Sequence, residues 1–220
     1  MKRPELVAMT VWNRKTVPDA KKAFMDSRDL PVDGWGCKDV GIPEDEVREL
    51  LLLMGETGKR VTLELMKSTE EEFYQSAQLA YQCGVTAVVG GKFSKRVSDY
   101  CAEKGMEYYP FIRKNEGELD LEKMAAETAF ACESGATGVC VPFYGILAEP
   151  APLIERIKKA TDKPIISASS INSRERLQEM AEFEIPYLNI GSGFFAGDFV
   201  PGGSFRENLK RCIEWMDELH

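Results

Sequence analysis

Glu64 and Lys38 are the two side chains best suited to chemistry if the fold brings them together. A carboxylate can remove a proton next to a carbonyl, and an ammonium can stabilise the enolate oxygen that results. Glu64 stands in Arg60-Val61-Thr62-Leu63-Glu64-Leu65-Met66, where Val61, Leu63 and Leu65 form a greasy set and Thr62, Glu64 and Met66 fall on the opposite side. A bare carboxylate in a low-dielectric interior is costly, so an inward Glu64 requires a partner. Lys38 in Gly36-Cys37-Lys38-Asp39-Val40-Gly41 and Lys92 in Val88-Val89-Gly90-Gly91-Lys92 can provide one. Gly34, Gly36 and Gly41 blur the alternation around Lys38 and leave open which side it takes. A structural ion pair filling the interior is the competing role for Glu64 and Lys38.

Other chemistries lack residues. The only histidine is His220, at the end of the chain, so Ser-His-Asp triads, Cys-His dyads and histidine metal sites have almost nothing to build with. Cys37, Cys83, Cys101, Cys132, Cys140 and Cys212 are scattered, with no C-x-x-C pair, and read as reduced buried thiols. No metal and no cofactor is expected. The formal net charge of −8 argues against nucleic acid as a partner. The apolar stretch at 6–11 is too short for a secretion signal or a membrane span, so no membrane association and a cytoplasmic location are expected.

The elements that must position these residues repeat. Short β-branched runs alternate with amphipathic stretches, and strands are predicted to begin near residues 6, 34, 60, 85, 106, 136, 163 and 185. Their spacing averages about 26 residues, the size of a compact strand-plus-helix unit. Ser68-x-x-Glu71 and Ser204-x-x-Glu207 have capping-box spacing, Pro43 suits a first helical turn, and Asp120 can cap a helix over 121–133. Gly58, Gly84, Gly105 and Gly135 stand where helices should close. Eight such units predict a (βα)8 TIM barrel of parallel strands filling residues 1–220 as one domain. An open doubly wound sheet is the alternative, but no G-x-G-x-x-G follows the first strand.

In a barrel the C-terminal strand ends assemble the site. Thr10, Ser167 and Asn189 at strand ends, with Arg113 and Tyr144 in the loops beyond, are the expected substrate-binding groups; Arg113 and Lys114 suit a carboxylate or second phosphate. Trp12 and Trp35 are expected to wall the pocket or fill its base. Two loops of small residues, Ser167-Ala168-Ser169-Ser170 and Gly191-Ser192-Gly193, each open a helix, so their backbone N–H groups can converge on an oxyanion. Phe194, Phe195, Phe199 and Phe205 are read as exposed aromatics that could serve a homo-oligomer interface.

Those loops, in Pro164-Ile165-Ile166-Ser167-Ala168-Ser169-Ser170-Ile171 and Asn189-Ile190-Gly191-Ser192-Gly193-Phe194-Phe195, resemble the phosphate-binding (βα)8-barrel superfamily. That group includes indole-glycerol-phosphate synthase, ribulose-phosphate and N-acetylmannosamine-6-phosphate epimerases and 2-keto-3-deoxy-6-phosphogluconate aldolase. The resemblance implies phosphate held by Ser169, Ser170, Gly191, Ser192 and Gly193, and a small phosphorylated sugar or keto acid as ligand. Relatives commonly have Gly-Gly-Ile where this chain has Ser169-Ser170-Ile171, a departure that adds hydroxyl donors.

Three functions remain open. Glu64 as base with Lys38 as electrophile would serve a metal-independent isomerase, epimerase or carbon-carbon lyase. A Schiff-base aldolase or transaldolase-like enzyme would use Lys92 or Lys38; the strand-six lysine of class I barrel aldolases has no counterpart in residues 138–144. A barrel that binds a phosphometabolite without turnover is the third.

Overall fold

The computed structural model describes residues 2–114, 119–168 and 170–219. From the N-terminus, β1 (Glu5–Met9) leads into a hairpin of β2 (Val11–Trp12) and β3 (Lys15–Thr16), then α1 (Ala20–Met25). Alternation follows: β4 (Gly34–Lys38), α2 (Glu44–Gly55), β5 (Arg60–Leu65), α3 (Glu70–Gln82), β6 (Ala87–Gly90), α4 (Lys95–Glu103), β7 (Glu107–Tyr109) and α5 (Leu121–Glu133). After β8 (Val139–Val141) come a short α6 (Phe143–Ile146) and α7 (Ala151–Ala160). The chain ends with β9 (Ile165–Ala168), α8 (Arg174–Glu182), β10 (Tyr187–Ile190), the one-turn α9 (Ser192–Ala196) and α10 (Phe205–Asp217).

The eight long-range strands are all parallel and ordered β7-β6-β5-β4-β1-β10-β9-β8. The last gap is bridged just past β7: Cys140 donates to the Pro110 carbonyl, and Ile112 donates to that of Cys140, both at 2.9 Å. The result is the expected TIM barrel, nearly closed. Its expected strand starts lie within three residues of those observed.

Local signals explain the helix ends. Asp120 accepts from the Lys123 N–H, and Ser204 with Glu207 forms a full capping box. The box at α3 is shifted by one residue: Thr69 and Glu72 close it, because Ser68 still belongs to the loop. Gly84 and Gly105, each at φ +70°, turn the chain from α3 and α4 toward the next strand in a conformation that other residues adopt at a cost.

Alternation along the strands separates two cores. Leu6, Ala8, Val61, Leu63, Leu65, Leu188 and Ile190 face the helices, whereas Ala87, Val89, Tyr109, Cys140, Ile166 and Ala168 fill the interior. Burying each large helix-facing side chain contributes about 1.5–3 kcal/mol. At the N-terminal end of the interior Arg60 pairs with Glu107 and lies 4.7 Å over the Tyr187 ring, so a charged plug closes the barrel's base. That leaves the C-terminal mouth for a ligand.

Candidate active site

The mouth holds a cavity of about 370 Å3 whose lining includes Lys38, Glu64, Met66, Arg14, Arg113, Lys114, Asn189 and the 191–193 loop. Parallel register sets Lys38 opposite Glu64 on adjacent strands, and Lys38 Nζ lies 2.7 Å from Glu64 Oε1. Lys38 therefore faces the interior. Both residues are more than nine-tenths buried, with the cavity as their opening. The two inward glycines before Lys38 are sterically required: a Cβ at Gly36 would lie 2.5 Å from Met9 Sδ and 2.8 Å from the Thr62 carbonyl.

Thr16 and Asp39 fix this pair in place. The Thr16 hydroxyl bonds both backbone groups of Lys38. Asp39, turned outward, accepts from the Met66 N–H at 2.7 Å and the Ser76 hydroxyl at 2.8 Å, and burial pushes its carboxyl above the usual range. Met66 in turn places its Sδ 3.7 Å from both Lys38 Nζ and an Arg113 nitrogen. Arg113 stacks on the Phe111 ring with Cζ 3.8 Å from its centroid. Burial pulls Arg113 below the ordinary guanidinium range; Glu64 opposes that effect and Arg14 adds to it.

Ser170, Ile171, Gly191, Ser192 and Gly193 also line the cavity. Ser169 lies outside the described residues. A Cβ at Gly191 would meet Val11 Cγ2 at 2.4 Å and the Met9 carbonyl at 2.7 Å, so only glycine lets this loop close against β1. Ser170 sits at φ +59°, where a glycine would be unstrained, and its carbonyl accepts from Arg176 at 2.5 Å. Of the four described non-glycine residues with positive φ, Arg14 and Ser170 line this cavity. Such strain tends to concentrate where function needs it.

Asn189 lines the cavity at 4% exposure, and neither its Oδ1 nor its Nδ2 has a hydrogen-bond partner among the described residues. Buried amides are seldom left in this state. Among the described residues no three His, Cys, Asp or Glu converge in a way that could hold a metal ion.

Several expected site residues point elsewhere. Lys92 is exposed and outside the cavity, because Gly90 and Gly91, both at positive φ, turn the chain away after β6. Thr10 is fully buried and donates to the Gly36 carbonyl at 3.2 Å. Ser167 pairs in register with outward-facing Leu188, so its side chain faces the helices. Tyr144 gives its hydroxyl to Glu179 and lies under Arg176; burial, then that carboxylate, pushes its pKa up. Trp35 packs edge-on against Phe24 in the helix-side core, and Trp12 is exposed on the hairpin. Phe194, Phe199 and Phe205 are buried, and with Phe195 and Trp215 they form an aromatic cluster between α9 and α10.

Sequence reasoning missed Arg14 and Thr16. Both belong to the β2–β3 hairpin, whose turn residues Asn13 and Arg14 have φ of +47° and +66°. Two positive φ values make a primed turn, and Asn as its first residue was the available signal.

Solved structures with this architecture are numerous and distant. The chain shares their (βα)8-barrel fold. The native KDPGal structure matches with a TM-score of 0.69 at 15% identity, over 99% of this chain and 98% of that one. Orotidine 5′-phosphate decarboxylase from Pyrococcus horikoshii OT3 matches at 0.67 and 15%, over 96% and 98%. Tryptophan synthase from M. tuberculosis in its aminoacrylate-bound form matches at 0.68 and 12%, over 99% and 92%. No family model and no curated protein matches the sequence.

Proposed function

We propose that this barrel is an enzyme acting on a small phosphorylated sugar or keto acid without a metal, as an isomerase, an epimerase or a carbon-carbon lyase. The observation that carries the reading is the buried Lys38–Glu64 pair at 2.7 Å, opening into a cavity that the 191–193 loop also lines. Glu64 takes a proton from the carbon next to the substrate carbonyl, and its carboxylate becomes a carboxylic acid. The electron pair moves onto the carbonyl oxygen, where the Lys38 ammonium donates a hydrogen bond to the developing enolate. Asn189 offers both a donor and an acceptor to the substrate's polar centre. Ser170, Gly191, Ser192 and Gly193 supply the phosphate site through backbone N–H groups and hydroxyls. The decarboxylase and synthase among the structural neighbours support an enzymatic role, and the former is named for a phosphorylated substrate.

A Schiff-base mechanism requires an unprotonated lysine in the cavity. Lys92 is outside it, and Lys38 is engaged as the cation of an ion pair, which favours the proton-transfer reading. The test is incubation in D2O with a panel of sugar phosphates and phosphorylated keto acids, with exchange of the carbon-bound proton read by NMR. Exchange with one of them, abolished in Glu64→Gln while inorganic phosphate still binds, supports the mechanism. Turnover that persists in Glu64→Gln, or a borohydride-trapped adduct on lysine, overturns it. Phosphate binding without exchange or turnover of any panel member leaves a binding barrel instead.

A further inference from the structure

Among the described residues the cavity lining carries four cations, Arg14, Lys38, Arg113 and Lys114, and one carboxylate, that of Glu64, in a chain whose net charge is −8. That carboxylate is already paired with Lys38. Among the described residues Arg14, Arg113 and Lys114 form no ion pair, whereas Arg206 pairs with Asp29 and Arg174 with Glu218. Arg113 rests on neutral, polarisable groups, the Phe111 ring and Met66 Sδ, which orient its guanidinium without neutralising it.

Topology places Arg14 and Arg113 across from each other. Arg14 follows β1 and Arg113 follows β7, four strands apart in an eight-stranded circuit. They nevertheless line one cavity and feel each other's charge. Arg14 is exposed at the rim and Arg113 is half-buried, and two guanidinium groups that line one cavity without an ion-pair partner among the described residues favour an anion between them. Arg14 is held there in a left-handed conformation at φ +66°, by a hairpin whose Thr16 is fastened to the end of β4.

The geometry points to a second anionic subsite: Arg14 and Arg113 converge across the barrel mouth to hold a carboxylate, so that the ligand carries an acidic group at each end. A planar carboxylate suits the guanidinium fork, which binds it through paired charge-assisted hydrogen bonds. The orphaned amide of Asn189 and the Lys38–Glu64 pair then face the middle of the ligand. The identity of the other end as phosphate rests on the function proposed above; the carboxylate subsite does not.

Titration calorimetry with four probes separates the two statements. The probes are 3-phosphoglycerate, glycerol 3-phosphate, D-glycerate and inorganic phosphate, tested on the intact chain, Arg14→Gln and Arg113→Gln, with each variant's fold checked by circular dichroism. The unaltered protein is expected to bind 3-phosphoglycerate about tenfold or more tightly than glycerol 3-phosphate, a preference of at least ~1.4 kcal/mol. Either substitution should reduce that preference to within about threefold while inorganic phosphate binds as before. Equal affinity for the two phosphorylated probes overturns the carboxylate subsite and leaves the phosphate reading standing. Equal loss of all phosphorylated probes in the variants also overturns it, by assigning the arginines to phosphate. Glycerate binding that depends on both arginines, with no binding of inorganic phosphate, upholds the subsite and overturns the phosphate end. Silence of all four probes overturns both.

Discussion

Thr16 grips Lys38 by both of its backbone groups. The Lys38 N–H donates to Thr16 Oγ1 at 2.8 Å, and the Thr16 hydroxyl donates to the Lys38 carbonyl at 2.9 Å. The Thr16 N–H also donates to the Val40 carbonyl at 2.9 Å, so the hairpin bearing Arg14 and the strand bearing Lys38 move as one piece. One hydroxyl thus couples the rim of the cavity to its floor.

Replacing that hydroxyl tests the coupling. Thr16→Val keeps the shape but leaves a buried N–H and a buried carbonyl without this partner, an expected cost of ~1–3 kcal/mol. For a chain of this size that lowers the thermal midpoint by roughly 2–4 °C per kcal/mol. Thr16→Ser should recover most of the loss. A serine variant as unstable as the valine variant would show that the methyl group's packing matters and the hydroxyl does not.

The ion pair predicts a non-additive cycle. Lys38→Met leaves Glu64 buried without its cation, and breaking a buried pair from one side costs ~3–5 kcal/mol. Adding Glu64→Gln removes the stranded charge, so the double variant should unfold at a higher denaturant concentration than Lys38→Met alone. Additive losses would mean that the two side chains do not interact in solution.

What the sequence disclosed, and what it hid, follows from the reach of each interaction. Strand β5 was legible because leucines and a glutamate alternate within it, and the structure puts Leu63 and Leu65 outside and Glu64 inside. Strand β4 reads Gly-Trp-Gly-Cys-Lys, and its inward positions before Lys38 are glycines because Met9 and the backbone of β5 already occupy that space. The side taken by Lys38 is fixed by pairing with Glu64, a relationship between strands that no local pattern carries. The surroundings of Tyr144 are hidden from the sequence for the same reason: its hydroxyl bonds Glu179, thirty-five residues away in sequence. Ser167 stands at a strand end as expected, and its register with Leu188 turns the side chain toward the helices, because one step along a strand reverses the face.

Asp39 should impose a pH dependence of definite sign. Burial raises its native pKa, so the folded state favours the protonated carboxyl more than the unfolded chain does. The resulting stabilisation is fully present below the unfolded value near ~3.9 and is lost as pH rises through the native value. Asp39→Asn retains groups able to bond Met66 and Ser76 but does not titrate. The wild-type melting temperature minus that of Asp39→Asn should therefore fall as pH rises from below ~3.9 toward neutrality. A difference that is flat, or that grows with pH, would show that Met66 and Ser76 hold the carboxylate strongly enough to outweigh burial.

Asn189 should behave unlike an ordinary buried amide. Its two polar atoms have no partner among the described residues, so replacing it with a leucine of similar size removes desolvated groups without breaking a bond. The ligand-free Asn189→Leu variant is expected to be as stable as the wild type or more stable by ~1–2 kcal/mol. The ligand should reverse that order. The rise in melting temperature that a bound metabolite gives the wild type should shrink in Asn189→Leu, because the amide's donor and acceptor would have been satisfied only in the complex. A destabilised ligand-free variant would mean that the amide already has partners before the ligand arrives.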